Sequence, residues 1–290
     1  MPDIRNLEGE SSENLYKVFM EAFSDYSQPI TWSREDFEES NARRGLDLSL
    51  SLGAYEDGRM LGFILNGRGS WAGKPAAYDL GTGVLPGARG SGLAGLLAGR
   101  LVSFLGAKGF QTYVLEVLRD NAAAIRTYEK AGFRVTRRFE CPRGSFADPG
   151  KPEPRGLVIT DLPGGRLFPR DRISAFRGWE PSWQNSDDSV ERTPGKLVVL
   201  GALMEDRLVA YLVAGTNGSI WQLAVAPELR RRGLGTALLR ALAARVGPEL
   251  RYINVQADDE ASLALLASCG VAEGPGQFEM TRELTAKVEA

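Results

Sequence analysis

Val84-Leu85-Pro86-Gly87-Ala88-Arg89-Gly90-Ser91-Gly92-Leu93-Ala94-Gly95-Leu96-Leu97 sets the reading of the whole chain. The apolar run before it, Ala77 to Val84, reads as a strand despite Gly81 and Gly83. That strand stops at Pro86, and a glycine-rich turn opens directly into an apolar-periodic helix, Leu93 to Leu105. Strand, glycine turn and helix in this order leave several backbone N–H groups unpaired at the positive end of a helix dipole. Such a turn is a socket for phosphate or pyrophosphate. Glycine suits it because a side chain would hold the anion off the backbone. A P-loop would need Gly-Lys-Ser/Thr at the helix start, and a dinucleotide fold would need its glycine fingerprint straight after an early strand.

A second copy lies downstream. Val225-Ala226-Pro227-Glu228-Leu229-Arg230-Arg231-Arg232-Gly233-Leu234-Gly235-Thr236-Ala237-Leu238-Leu239 repeats the pattern without a gap, each position 141 after its counterpart. A period that long marks a domain-sized duplication and not a solenoid. A third stretch follows the first copy: Leu115-Glu116-Val117-Leu118-Arg119-Asp120-Asn121-Ala122-Ala123-Ala124-Ile125-Arg126-Thr127-Tyr128-Glu129-Lys130-Ala131-Gly132-Phe133. Arg89-x-x-Gly92-x-Ala94, Arg230-x-x-Gly233-x-Gly235 and this third stretch together resemble the signature of the GCN5-related N-acetyltransferases, the GNAT family. The third is similar in particular to the ribosomal-protein alanine acetyltransferases. The resemblance implies an α/β chain of two tandem folds, each a mixed, splayed sheet with helices on both faces. Residues 1–145 are then a catalytic domain and 156–290 a degenerate second one.

Bulk composition narrows the chemistry. At 290 residues the chain has room for two cores, and a net charge of −2 gives no sign of a nucleic-acid or anionic-membrane surface. No apolar run approaches the ~20 residues of a membrane span, so a cytoplasmic protein is expected. Cys141 and Cys269, one per half, read as small hydrophobes, not as a disulfide. With no histidine in the chain a zinc site is not expected, and every histidine-based mechanism is removed. Acid–base work falls to carboxylates, tyrosine, lysine, cysteine or water.

In chain order, a strand is expected at Ile4–Leu7, then helices from about Glu13 to Ala22 and from Ser33 as N-cap. Leu48–Tyr55 and Met60–Asn66 read as strands joined by Glu56-Asp57-Gly58, and Gly67–Pro75 as a loop carrying Trp71. After the long helix come a strand at Thr112–Val117, a helix at Asn121–Ala131 and a strand at Phe133–Glu140. Pro142 to Arg155, rich in proline, glycine and charge, reads as a linker or a hairpin tip plus linker. The second half repeats the order, with strands at Gly156–Asp161, Lys196–Met204, Arg207–Ala214, Ile220–Val225, Tyr252–Gln256 and Gln277–Arg282. Its helices are expected at Arg170–Phe176, Ser186–Arg192, Leu234–Val246 and Glu260–Ser268.

The resemblance also implies roles. Acetyl-CoA lies in a wedge where two parallel strands splay apart, its pantetheine arm pairing like an added strand. This maps the arm onto Thr82, Gly83 and Val84, where Gly81 and Gly83 serve close approach, a β-bulge, or both. The N–H groups of Gly90, Ser91, Gly92, Leu93, Ala94 and Gly95 would hold the pyrophosphate, with Arg89 helping by its field. Leu223, Ala224, Val225, Arg231, Arg232, Gly233, Leu234, Gly235 and Thr236 are the corresponding cofactor-binding set of the second half. Glu116 is the implied base, with Asp79 on the neighbouring strand as the alternative. Tyr128 is the implied acid for the departing CoA thiolate, and Asn121 a helix cap that touches the CoA arm. Glu21, Phe23, Asp25, Tyr26, Trp32 and Trp71 fall where the family's acceptor groove runs, and acids with aromatics suit a cationic amine.

The second half departs from this pattern. Aligning Gly270 with Gly132 puts Asn254 at Glu116, Asp259 at Asn121 and Leu266 at Tyr128. The expectation is therefore an acetyl-CoA-dependent N-acetyltransferase working by direct transfer to a small-molecule or peptide amine. Two other readings stay open: a non-catalytic acyl-CoA-binding or assembly protein, and catalysis in the second half as in two-domain mycothiol synthases. The assembly is either a monomer acting as a pseudo-dimer or a homodimer.

Overall fold

The computed structural model describes residues 2–25, 30–164, 169–193 and 197–284. The first half runs β1 (Asp3–Asn6), α1 (Ser12–Ala22), α2 (Arg34–Arg44), β2 (Leu52–Glu56), β3 (Arg59–Trp71), β4 (Lys74–Val84), α3 (Leu93–Ala107), β5 (Thr112–Leu118), α4 (Ala122–Lys130) and β6 (Arg134–Glu140). Then come β7 (Arg143–Ser145), β8 (Leu157–Asp161), α5 (Arg170–Ile173), α6 (Asp187–Glu191), β9 (Leu197–Met204), β10 (Arg207–Gly215), β11 (Ser219–Val225), α7 (Leu234–Val246), β12 (Glu249–Tyr252), β13 (Val255–Gln256), α8 (Glu260–Ser268) and β14 (Gly276–Glu283). Both sheets are mixed, so the α/β class holds. Among the described residues no helix is long and apolar enough to cross a membrane.

Two compact units result, each drawing on both halves of the sequence. Unit one comprises Met1–Val117, Asn121–Thr136 and Glu279–Ala290; unit two comprises Leu118–Asp120 and Arg137–Phe278. The last strand, β14, lies between β5 and β6 in the first sheet. Residues 143–145, read from sequence as linker or as hairpin tip plus linker, form β7 and pair with β12 at the edge of the second sheet, Gly144 opposite Leu250.

Each sheet carries a bulge on the strand that leads into its glycine turn. β3 and β4 pair Leu65 with Gly81 but Asn66 with Asp79, leaving Leu80 as the extra residue. In the second sheet Val213 pairs with Gln222 but Ala214 with Ile220, leaving Trp221, which is 141 positions after Leu80. The parallel pairing to the next strand stops beside each bulge, at Tyr78↔Val114 and at Ile220↔Tyr252. A bulge bends its strand and raises the local twist, which separates β4 from β5 and β11 from β12. Gly81 and Gly83 also serve packing: a Cβ at Gly81 would meet the Phe19 ring at 3.2 Å, and one at Gly83 the Phe63 ring at 2.5 Å. Those rings, with Phe37, form the core beneath α1, where Phe19 lies 5.0 Å from Phe37 and 5.9 Å from Phe63.

Three further elements differ from the sequence reading. Gly67–Pro75 is the end of a long hairpin, turned by Ala72 and Gly73 in left-handed conformations (φ 49° and 75°), the geometry of a two-residue hairpin loop. Leu48–Leu50 form a 3₁₀ turn, because the Asp47 side chain accepts the Ser49 N–H at 3.0 Å. The strand expected at Tyr252–Gln256 breaks at Asn254 (φ 60°), a buried residue whose Nδ2 donates to Ser182 Oγ at 3.0 Å.

Candidate active site and its second copy

In unit one the turn after β4 is built by two left-handed glycines, Gly90 (φ 77°) and Gly92 (φ 82°), the latter capping α3. A Cβ at Gly90, Gly92 or Gly95 would meet nothing within 4 Å, so the turn is open at these positions. Arg89 turns away from that opening. Its guanidinium pairs with Asp25 (2.6 and 2.8 Å) and donates to the carbonyls of Ala22 (2.8 Å) and Val84 (3.2 Å). It fixes the turn to the end of α1. Asn121 caps α4, its side chain accepting the Ala124 N–H at 3.1 Å.

Two of the proton-transfer candidates meet. Asp79, only 9% exposed, accepts from the Gly81 N–H (2.8 Å), the Thr82 hydroxyl (2.7 Å) and the Tyr128 hydroxyl (3.4 Å). Burial pushes its carboxyl up to about 6, against the hydrogen bonds from Thr82, Gly81 and Tyr128 that favour the anion. Glu116 sits on β5 and is engaged by the Tyr78 hydroxyl, which burial first and the Glu116 charge second push well above the ordinary phenol range. Behind Tyr78 stands Arg44, buried at the end of α2. It donates to the carbonyls of Leu80 (3.0 Å) and Ser40 (3.1 Å) and to the Asn41 side chain (3.2 Å). Sequence reading missed Arg44 and Tyr78. α2 reads as a solvated helix, and an arginine in its last turn is an ordinary complement to the dipole.

The acceptor-side residues divide. Trp32 stacks on Phe19 at 5.8 Å and Phe23 lies 4.7 Å from the same ring, so these aromatics cluster. Glu21 pairs with Arg59, and Asp25 with Arg89. Trp71 stands at the hairpin tip, eight positions along the chain from Asp79. Tyr26 lies outside the described residues.

Unit two repeats the turn, with Arg231 (φ 65°) in place of Gly90 and Gly233 (φ 87°) capping α7. Arg230 copies Arg89 in donating to the strand end, Val225 O at 3.2 Å, and to Phe176 O at 3.0 Å. A cavity of about 700 Å³ opens here, lined among others by Arg231, Gly233, Leu223, Trp179, Tyr211 and Tyr252. Arg177 forms a bidentate pair with Asp187 and donates to the Tyr211 hydroxyl at 2.7 Å, and the Trp179 indole donates to Asp259 at 2.8 Å. Leu266 is fully buried, and Asp259 caps α8 through the Ser262 N–H. Segment 148–154 crosses α7, with Arg240 donating to Asp148 (2.6 and 2.8 Å), Glu153 (3.0 Å) and the Lys151 carbonyl (3.1 Å).

Comparison with known proteins agrees with this doubling. The family model described as acetyltransferase (GNAT) family matches residues 12–133 and again 166–271. A mycothiol acetyltransferase of Streptomyces scabiei is 31% identical over 129 residues, and one of Mycobacteroides abscessus 33% over 132. These alignments cover 43% of this chain and 40% and 43% of the relatives, so well under two thirds of those proteins is matched. Among solved structures, a GCN5-related N-acetyltransferase from Sphaerobacter thermophilus superposes with a TM-score of 0.73 at 17% identity, covering 100% of this chain and 98% of that one. A tandem GNAT protein from the clavulanic acid biosynthesis pathway gives 0.71 at 16%, covering 98% and 99%. At such identities the likeness is one of fold.

Proposed function

Because the chain belongs to the GNAT acetyltransferase family, we propose that it is an acetyl-CoA-dependent N-acetyltransferase acting on a primary amine by direct attack, with the reaction in the wedge of unit one. The observation that carries this reading is the contact of the Tyr128 hydroxyl with buried Asp79, beside the point where β4 leaves β5. The open space over Gly90, Gly92 and Gly95 fits a pyrophosphate, and the bent end of β4 fits a pantetheine arm at Thr82–Val84. Acetyl-CoA, when bound, supplies the activated acetyl thioester.

The chain's own groups then handle two protons. Asp79 Oδ2, with a pKa near 6, accepts the proton the amine loses, directly or through a water. The Tyr128 hydroxyl delivers its proton to the leaving sulfur and regains one from Asp79, its hydrogen-bond partner, so the pair ends as it began. Glu116, held by Tyr78, is the alternative base. The aromatic cluster of Phe19, Phe23 and Trp32 provides a face for a cationic amine, from a small molecule or a peptide.

A second reading places the reaction in unit two, as in a mycothiol-acetyltransferase-like enzyme. The 700 Å³ cavity favours it. A panel of amines, amino-thiol conjugates included, read out by release of the CoA thiol, tests the activity. Turnover that survives Tyr128→Phe and is lost in Gly233→Val moves the reaction to the second unit. Absence of acetyl-CoA binding by calorimetry ends the enzyme reading.

A further inference from the structure

Unit two lacks the helix-borne tyrosine, but another phenol stands inside its wedge. On the alignment that sets Leu266 against Tyr128, Tyr252 takes the place of Val114. Tyr252 is the last residue of β12, paired with Ile220 just where β11 and β12 separate. Past it, the left-handed Asn254 takes the chain away, and among the described residues the pairing of β11 with β12 ends at Ile220. The Leu223 N–H is left pointing into the gap, and it donates to the Tyr252 hydroxyl at 3.0 Å. Among the described residues that hydroxyl has no acceptor for its own proton. It is 2% exposed and lines the cavity that begins at Arg231 and Gly233.

A hydroxyl that accepts from a backbone N–H and has a proton to give extends the reach of that N–H by one hydrogen bond and is polarised by it. Leu223 is the counterpart of Thr82, on the segment read as holding the pantetheine arm. The acyl end of a CoA thioester seated on the second turn therefore faces this phenol. Its carbonyl oxygen is an acceptor with no other obligation. Free CoA has none at that position, and neither does a thioether analogue. Burial lifts the phenol far above its usual range, so it remains a donor throughout neutral pH.

We propose that Tyr252 is the acyl-recognition residue of the second unit, its hydroxyl relaying the Leu223 N–H to the carbonyl oxygen of a bound acyl-CoA. Selectivity for the thioester over the thiol would then reside in a strand residue that the first unit lacks. The proposal rests on the reading that the second glycine turn holds a CoA thioester.

The test uses the full chain carrying Gly92→Val, which vacates the first turn, with acetyl-CoA labelled with ¹³C at its carbonyl. The infrared band of bound ligand is expected at lower wavenumber than in water, and Tyr252→Phe is expected to return it. By calorimetry the same chain should bind acetyl-CoA about tenfold more tightly than S-ethyl-CoA, which has no carbonyl, and Tyr252→Phe should abolish that preference. An unshifted band and equal affinities, seen before Tyr252 is altered, overturn the proposal while leaving the second socket standing. A Gly92→Val chain that binds no acetyl-CoA overturns the reading of the socket and the proposal with it. Should Tyr252→Phe not fold, the band and the acetyl-to-ethyl ratio of the unaltered tyrosine decide the matter alone.

Discussion

Asp79→Asn should make the protein more stable and far less active, by amounts that depend on pH in a defined way. The carboxyl is raised from 3.8 to about 6 on folding, chiefly by burial. Between those values the folded chain holds a proton that the unfolded chain has lost, so stability falls as pH rises through that window. Two pKa units correspond to about 3 kcal/mol, fully expressed above pH 7 and absent below pH 4. Asparagine has the shape of the protonated acid and can still accept from the Gly81 N–H, while the Thr82 and Tyr128 hydroxyls can turn to receive its amide. The variant should therefore match the wild type near pH 4 and exceed it by about 2–3 kcal/mol at pH 8, the gap opening at about 1.4 kcal/mol per pH unit. Urea titrations at pH 4.5, 6 and 8, with hydrogen exchange of the β4 amides to localise the gain, measure this. Turnover should fall about 10²–10⁴-fold, and the acid limb of kcat/KM near pH 6 should disappear. A gap that is the same at every pH, or a variant less stable at pH 8, refutes the account of Asp79. An acid limb that persists here and vanishes in Glu116→Gln makes Glu116 the base.

Tyr128→Phe removes one oxygen and keeps the edge contact of the ring with Phe133, so kcat should fall about 10²–10⁴-fold with acetyl-CoA affinity unchanged in calorimetry. Gly92→Val places a branched side chain at φ 82° over the anion socket and should weaken acetyl-CoA binding at least about tenfold, with a stability loss of about 1–2 kcal/mol in thermal melts. Arg240→Ala frees segment 148–154 from four hydrogen bonds, and tryptic cleavage after Arg155 should quicken about tenfold. Unchanged cleavage would show that the segment is held by other contacts.

Local chemistry made much of this architecture readable in advance. Both glycine turns, the capped helices and the strand beside each turn follow from spacing and from residues such as Ser33, Pro86 and Gly233, whose backbone preferences act over a few positions. Tyr128 came from the resemblance and Asp79 from its place on the neighbouring strand as an alternative carboxylate, and their contact is a product of the fold. What escaped was set at long range. Nothing in Arg143-Gly144-Ser145 or in β14 says which sheet it will join, because strand pairing is chosen by partners distant in sequence. The bulges at Leu80 and Trp221 are invisible without the opposite strand. Arg44 looks solvated until Tyr78 and Leu80 are folded over it, and Tyr252 looks like a core tyrosine until its neighbour strand diverges.

The position of β14 has a bearing on how the protein is made. At a ribosome adding roughly 5–20 residues per second, about 140 residues separate the end of β6 from the end of β14, an interval of roughly 7–30 s. Through that interval β5 has been synthesised but the strand that lies between it and β6 has not, so the first sheet waits with an unpaired edge until β14 has been made. A stop codon placed before Gly276 would therefore damage the sheet encoded first, which needs β14.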